Sequence, residues 1–305
     1  MLLAASASPR LRQLVTTTPA TRGIVDSYVA GDTAPDAVRV ARALRGAGLL
    51  VSLDYLGEDT RDQVQATAVT DEYVQLLGQL GAEGLTQGGG AEVSVKATAV
   101  GLFLGAGTAA GNIARICAAA AEAGTTVTLD AEEHAAVEPT LQIAAKLRAE
   151  HPDLGCVVQA CLRRAEEDCR VLAGHGVRVR LCKGAYSEPE SVAFTARREV
   201  DLSYARCLRV LLNGPGYPMV ATHDPRLIEI ATSLALLTGR ASSSFEYQML
   251  YGIRPAEQRR LASTGARMRV YVPYGRDWYG YLIRRLAERP ANLSFFLRSL
   301  PGRSQ

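Results

Sequence analysis

GCVVQACL (155–162), RRAEEDCRVLA (163–173) and VRVRLCKG (177–184) succeed one another in one stretch of the chain. The first and last are short, near-continuous apolar runs next to glycines, the pattern of strands covered on both faces. The middle one is charged and helical in composition. The unit recurs on both sides. Upstream stand LLVSLDYL (49–56), EVSVKATA (92–99) and TTVTLDAE (125–132); downstream stand YPMVATHD (217–224), SSFEYQML (243–250) and MRVYVPYG (268–275). Helical stretches at 61–80, 109–123, 138–149, 189–213, 225–237 and 255–263 separate them, and a last one at 277–289 follows the final run. Eight strands, each followed by a helix, predict an α/β chain closed into a TIM-type (β/α)8 barrel, not an open doubly wound sheet.

Working outward, Ala34-Pro35-Asp36 opens a segment in which Val38, Val40, Ala41, Ala43 and Leu44 recur near helical spacing, stopped by Gly46 and Gly48. Residues 1–46 are therefore expected as an N-terminal helical accessory segment, and 47–305 as the barrel. With 305 residues, 48% hydrophobic and 21% charged, the chain can fill a large core. Its net charge of +3 is spread thinly, which disfavours a nucleic-acid surface but permits a local anion site. Six cysteines without a CxxC pair and four scattered histidines do not fit a zinc site, so no metal is expected. The opening MLLAASASPRLRQL is too short an apolar run for a signal peptide, and no run approaches about 18 apolar residues. A cytoplasmic protein is expected, with peripheral contact at the inner membrane left open.

Gly105-Ala-Gly107-Thr-Ala-Ala110 imitates the dinucleotide fingerprint G-x-G-x-x-G/A, and Asp130 follows where a ribose-binding acid would stand. The fingerprint belongs in the turn directly after a strand, yet the strand carrying Val93 and Val95 runs out near Ala99. It would also leave five later strands without a place. Small residues in a loop explain it better.

In such barrels, polar residues at the C-terminal strand ends face the active site. Here they are Asp54 and Glu58, then Lys96, then Asp130, Glu132 and Glu133, then Gln159, followed by Arg180, Lys183 and Tyr186. Thr222, His223 and Asp224 come next, then Glu246 and Gln248, then Tyr271 and Tyr274; the last helix carries Arg284, Arg285 and Glu288. Each has a structural alternative. Asp54 could cap a helix or pair, and Arg284 and Arg285 could form a solvated face with Glu288. A lysine in an apolar strand is costly unless paired, which makes Lys96 harder to dismiss. So many charges converging at one end need an anionic ligand or one another. The mixture suits a phosphorylated cofactor together with a carboxylate substrate.

Several segments are similar, in order and spacing, to the proline dehydrogenase family. They are SVK (94–96), LDAEE (129–133), VVQA (157–160), Arg180 leading into KGAY (183–186), ATH (221–223), EYQMLYG (246–252), YVPYG (271–275) and YLIRRLAE (281–288), with Asn292 beyond. The resemblance covers about residues 50–297. It departs at Ser187, where members often have Trp, at Asp224, commonly Asn, and at Cys161, frequently aromatic.

The resemblance implies a distorted (β/α)8 barrel with its last helix over the mouth. It also implies oxidation of L-proline to Δ1-pyrroline-5-carboxylate on non-covalent FAD, with a quinone as electron acceptor. Arg284, Arg285 and Lys96 would bind the substrate carboxylate, and Tyr271 and Tyr186 would pack on the ring. Asp130 and Arg180 would be catalytic, Arg180 lying beside the flavin. Ala131, Gln159, Lys183, Gly184, Ala185, Thr222 and His223 would contact the cofactor. Glu58 would pair with a mouth arginine as a gate when no substrate is bound. A separate pyrroline-5-carboxylate dehydrogenase would complete the pathway to glutamate. Two other readings stay open: a Schiff-base lyase or aldolase using Lys96 as nucleophile, and a Rossmann-type NAD oxidoreductase.

Overall fold

The computed structural model describes Gly23 and residues 25–287. Eight parallel strands follow chain order around a closed barrel. They are β1 (Leu50–Tyr55), β2 (Ala91–Val95), β3 (Val127–Leu129), β4 (Gly155–Gln159), β5 (Arg178–Cys182), β6 (Tyr217–Ala221), β7 (Glu246–Leu250) and β8 (Met268–Tyr274). Pairing of Leu50 with Arg269 through Tyr55 with Tyr274 closes the cylinder between β1 and β8. Among the described residues the α-helices are α1 (Ala34–Gly46), α2 (Gln63–Ala82), α3 (Ala106–Glu122), α4 (His134–Leu147), α5 (Ala165–Gly174), α6 (Arg197–Asn213), α7 (Pro225–Leu237), α8 (Pro255–Ser263) and α9 (Trp278–Ala287). The TIM-type barrel is the fold the strand count predicted, and the Rossmann reading falls with it. Gly105 lies well past the end of β2 and simply precedes the first turn of α3.

Local chemistry sets the helix starts. Asp62 accepts the Val64 N–H at 2.9 Å, and Asp224 accepts that of Arg226 at 3.1 Å ahead of Pro225. At α1, Thr33 and Asp36 form a reciprocal capping box. One helix is shorter than its sequence pattern. The stretch 189–196, expected as the start of α6, instead lies against the segment after β4, where Phe194 N–H meets the Cys161 carbonyl at 2.7 Å. That pairing wins over helical propensity.

The main core lies between the outer faces of the strands and the helices. Leu53, Val93, Leu129, Leu181 and Val270 pack there against residues such as Leu76, Leu77 and Ile113. Burying a leucine of this kind contributes roughly 1.5–3 kcal/mol. The inner faces are different. Alternate residues (Ser52 and Asp54; Glu92 and Ser94; Arg178 and Arg180; Glu246 and Gln248; Arg269 and Tyr271) meet across the barrel through hydrogen bonds and ion pairs. Most of the strands that read as apolar runs therefore alternate, apolar outward and polar inward; β4 and β6 instead bring Val157 and Met219 to the inner face beside Arg180.

The helix after β8 does not return to the outside. Trp278, Tyr279, Tyr281, Leu282 and Ile283 of α9 join Val25, Tyr28, Val29, Leu56 and Ile253 in a second cluster, near the C-terminal strand ends. Helix α1 packs on β1 and β8, the seam that a returning helix would otherwise cover. Residues 30 and 31 tie this N-terminal segment to the end of β8: Ala30 N–H meets the Pro273 carbonyl and Gly275 N–H meets the Gly31 carbonyl, each at 2.9 Å.

Candidate active site

A cavity of about 1470 Å³ opens at the C-terminal strand ends. Lys96, Asp130, Ala131, Gln159, Arg180, Lys183, Gly184, Ala185, Tyr186, Thr222, His223, Tyr271, Arg284 and Arg285 all line it. Glu58 stands at the rim, its Oε1 accepting from Arg284 Nη1 at 3.4 Å. The structure thus brings together every residue to which the family resemblance gave a role. Not every polar residue counted at a strand end joins them: Glu132, Glu133 and Tyr274 do not line the cavity, and Glu246 is the first residue of β7, so it lies at the other end of the barrel and pairs with Arg269. Asp54 and Gln248, placed at strand ends from the sequence but given no role, also line the cavity, as do Tyr281, Arg226 and Asp201, which had not been singled out. For Asp54 the signal was present, since it ends β1 as Lys96 follows the end of β2.

At the floor, Arg180 is 4% exposed and reaches four partners. It donates to Asp130 and Ser94 at 2.7 Å, to Gln248 at 2.6 Å and to Ser52 at 3.2 Å. Asp130 in turn accepts from the Tyr271 hydroxyl at 2.7 Å and from Ser94 at 2.8 Å. The guanidinium carbon of Arg180 sits 5.2 Å from the Tyr271 ring centre, so cation and ring also attract. Burial, then Asp130 and Asp54, push the Tyr271 phenol well above its ordinary range, so it stays neutral. The four bonds of Arg180 fix the direction of the cation.

Lys96 has the partner that a lysine in an apolar strand requires. Its Nζ lies 2.6 Å from Asp54 Oδ1, with both side chains buried. Burial works against its charge, but Asp54 and Asp130 outweigh it and the pKa is raised. A Schiff-base lysine needs the opposite shift, which counts against the lyase reading.

The arginines of α9 are not a solvated face. Arg285 is 8% exposed and stacks 5.4 Å from the Tyr281 ring centre. Arg284 turns to Glu58, and Glu288 lies outside the described residues.

One wing of the cavity suits a phosphorylated group. Gly184 has φ +104, and a Cβ there would come within 2.2 Å of Cys161 Sγ, so only glycine keeps this turn. The loop beyond it is pinned by Glu188, which accepts the His134 N–H at 2.8 Å at the N-terminus of α4. Lys183, Arg197, Arg198 and Arg226 line the adjoining groove. Two aspartates temper them: Lys183 lies 2.5 Å from Asp201 and 3.1 Å from Asp224, and Arg226 lies 3.0 and 2.9 Å from the same pair. His223 accepts the Leu250 N–H on Nε2 at 2.9 Å, which places a neutral ring's proton on Nδ1. A bulky anionic cofactor fits this donor set.

A family model described as Proline dehydrogenase matches residues 37–298. The chain belongs to the proline dehydrogenase family. Proline dehydrogenase 1 of Bacillus subtilis (strain 168) is 40% identical over 273 residues, covering 90% of this chain and 89% of that one. The Proline dehydrogenase of Deinococcus radiodurans is 36% identical, with 91% and 90% covered. Among solved structures, proline utilization A from Bdellovibrio bacteriovorus, inactivated by N-propargylglycine, superposes with a TM-score of 0.83. That match, at 22% identity, covers all of this chain and 40% of that protein, and shows the fold alone. Membership makes the chain an oxidoreductase of proline catabolism. Among the described residues, no helix is long and apolar enough to cross a membrane.

Proposed function

We propose that the chain oxidises L-proline to Δ1-pyrroline-5-carboxylate with non-covalent FAD, and that a quinone takes the electrons onward. The observation that carries this reading is the pairing of a buried, fully directed Arg180 at the cavity floor with a mouth rimmed by Arg284 and Arg285. Bound in the cavity with its phosphates toward Lys183 and Arg226, the flavin would accept a hydride equivalent from the substrate carbon.

The protein's own part is orientation and electrostatics. Arg284 and Arg285, with Lys96 as a third cation, hold the proline carboxylate, and a planar guanidinium fork suits that ligand. The same cations disfavour a protonated substrate amine, so the nitrogen reaches the reaction with its lone pair free. Tyr271 and Tyr186 supply ring faces for the pyrrolidine. Asp130, accepting from Arg180, Ser94 and Tyr271, aims these groups. Arg180 is placed to stabilise negative charge as the cofactor is reduced. Ala131, Gln159, Gly184, Ala185, Thr222 and His223 complete the cofactor wall. Glu58 pairs with Arg284 when the site is empty and gives it up to the substrate carboxylate. Oxidation of the product to glutamate is assigned to a separate catalytic unit.

The purified protein is expected to be yellow, to bleach when proline is added anaerobically, and to release its flavin on acid treatment. Arg284→Met or Arg285→Met should leave flavin content intact while lowering kcat/KM for proline at least roughly thirtyfold, the effect of unpairing a desolvated charge at about 2 kcal/mol or more. A colourless protein, or variants with normal kcat/KM at full flavin occupancy, would overturn the reading. Efficient proline-dependent reduction of NAD by the pure protein would overturn the quinone as electron acceptor.

A further inference from the structure

Glu132 is a buried carboxyl group, 5% exposed, that does not line the cavity. It spends both oxygens on one residue. Thr98 gives its backbone N–H to Oε2 at 3.1 Å and its hydroxyl to Oε1. Thr98 then faces the other way as well. Its hydroxyl oxygen accepts the Asp59 N–H at 3.1 Å, and its carbonyl accepts the Thr60 N–H at 3.2 Å. Asp59 has φ +61, a left-handed conformation that a residue with a Cβ adopts only when its surroundings insist. The residue before it is Glu58, which meets Arg284 across the cavity rim.

We propose that Glu132 and Thr98 form a latch beneath the mouth, holding the loop that carries Glu58 in the position from which it meets Arg284. Glu132 is then a positioning residue for substrate entry, and the proposal rests on the reading of Glu58 and Arg284 given above.

The polarity of the bonds makes the latch specific. A hydroxyl has one proton. The Asp59 N–H uses a lone pair of the Thr98 oxygen, so the hydroxyl proton must go elsewhere, and the Glu132 carboxylate is there to take it. A methyl group in its place leaves a buried acceptor and the Asp59 donor unmatched together. Burial pushes the Glu132 carboxyl up to about 7 against the two Thr98 bonds, and Lys96 just beyond β2, Asp130 beyond β3 and Tyr186 beyond β5 also face it. The charged form, which accepts both bonds without rearrangement, gives the firmer latch.

Hydrogen–deuterium exchange on the full chain, followed by mass spectrometry, tests the proposal. Thr98→Val should speed exchange in the peptide spanning residues 56–61 at least tenfold, with Thr98→Ser restoring wild-type protection. The same Thr98→Val change should shift KM for proline more than kcat, and that shift should vanish in a Glu58→Gln background. Unchanged exchange overturns the latch. Faster exchange with an equal KM shift in both backgrounds overturns the positioning role. Glu58→Gln alone leaving proline kinetics untouched overturns the mouth-pair reading instead, because the exchange result does not depend on substrate. If Thr98→Val does not fold, Glu132→Gln, which can match only one of the two Thr98 donors, carries the same comparisons.

Discussion

The two ends of the barrel hold the same kinds of residue and use them in opposite ways. At the N-terminal strand ends, Arg269 donates to Glu246 at 2.6 and 3.0 Å and to the carbonyls of Val51, Gly90 and Gly89 at 2.8, 2.9 and 3.0 Å. All five of its N–H donors are engaged. Arg178 reaches Glu92 at 2.7 Å close by. At the C-terminal ends, Arg284 meets Glu58 at 3.4 Å, longer than a good charge-assisted bond, on the edge of an open cavity. Charge does not separate structural from functional arginines in this barrel. What sets Arg269 apart from Arg284 is that none of its donors is left over; Arg180, with four of five engaged, stands between them.

The largest expected effect breaks that comparison at the closed end. Arg269→Met would leave Glu246 buried without its neutralising partner, whereas Glu92 would keep Arg178, and removing one member of such a pair costs about 3–5 kcal/mol. Arg285→Met should cost less than about 1 kcal/mol of stability, since Met fills much of the same space, while losing its grip on substrate. Urea unfolding of the two variants side by side measures the contrast. Equal losses would mean that the mouth arginines are as structural as those below.

A second contrast concerns pH. Burial works against the charge of Glu92, but Arg269, Arg178 and Arg180 outweigh it and hold its carboxyl down to about 2. Its contribution to stability is full above the unfolded value near 4.5 and is lost as pH falls toward about 2. Glu132 runs the other way. Burial raises it to about 7, so the folded state keeps a proton that the unfolded chain releases, and stability is lost as pH rises from 4.5 through about 7. Each swing is on the order of a few kcal/mol. Unfolding free energies of Glu92→Gln and Glu132→Gln from pH 3 to pH 9 should flatten the acid and the neutral limb respectively. A Glu132→Gln curve parallel to wild type between pH 5 and 8 would remove the second effect.

Much of this was legible in the sequence, for a physical reason. Barrel strands and helices alternate at short range, so eight apolar runs and the helices between them could be counted, and α7 and α8 begin and end where the pattern placed them. Polar residues at strand ends converge whatever the details, because parallel strands share a direction. What was hidden is pairing. Lys96 and Asp54 are 42 positions apart, and neither residue type announces its partner. The charge network below the site was missed because Glu92, Arg178 and Arg269, flanked by apolar neighbours, look like interruptions of a strand until closure brings them face to face. The start of α6 was misplaced because residues 189–196 find backbone partners beyond β4 that no local pattern contains.

The smallest expected effect lies at the phosphate wing, where open and closed chemistry meet. Lys183 and Arg226 are the cations an anionic cofactor would use, yet Asp224 touches both, at 3.1 and 2.9 Å. Those bonds, Arg226 first, hold the Asp224 carboxyl well below the usual range, so it is charged at any working pH. A fixed negative charge beside a pyrophosphate weakens binding; it also caps α7 through the Arg226 N–H, a task asparagine performs about as well. Asp224→Asn should therefore keep the helix start while freeing one unit of positive charge. Because Arg226 is largely exposed, solvent screens the gain to roughly two- to fivefold in affinity. Titration of flavin-free protein with FAD, followed by fluorescence quenching, reads this directly, and the advantage should shrink as salt is added. Equal or weaker binding by Asp224→Asn would mean that the aspartates organise Lys183 and Arg226 for the cofactor more than they oppose it.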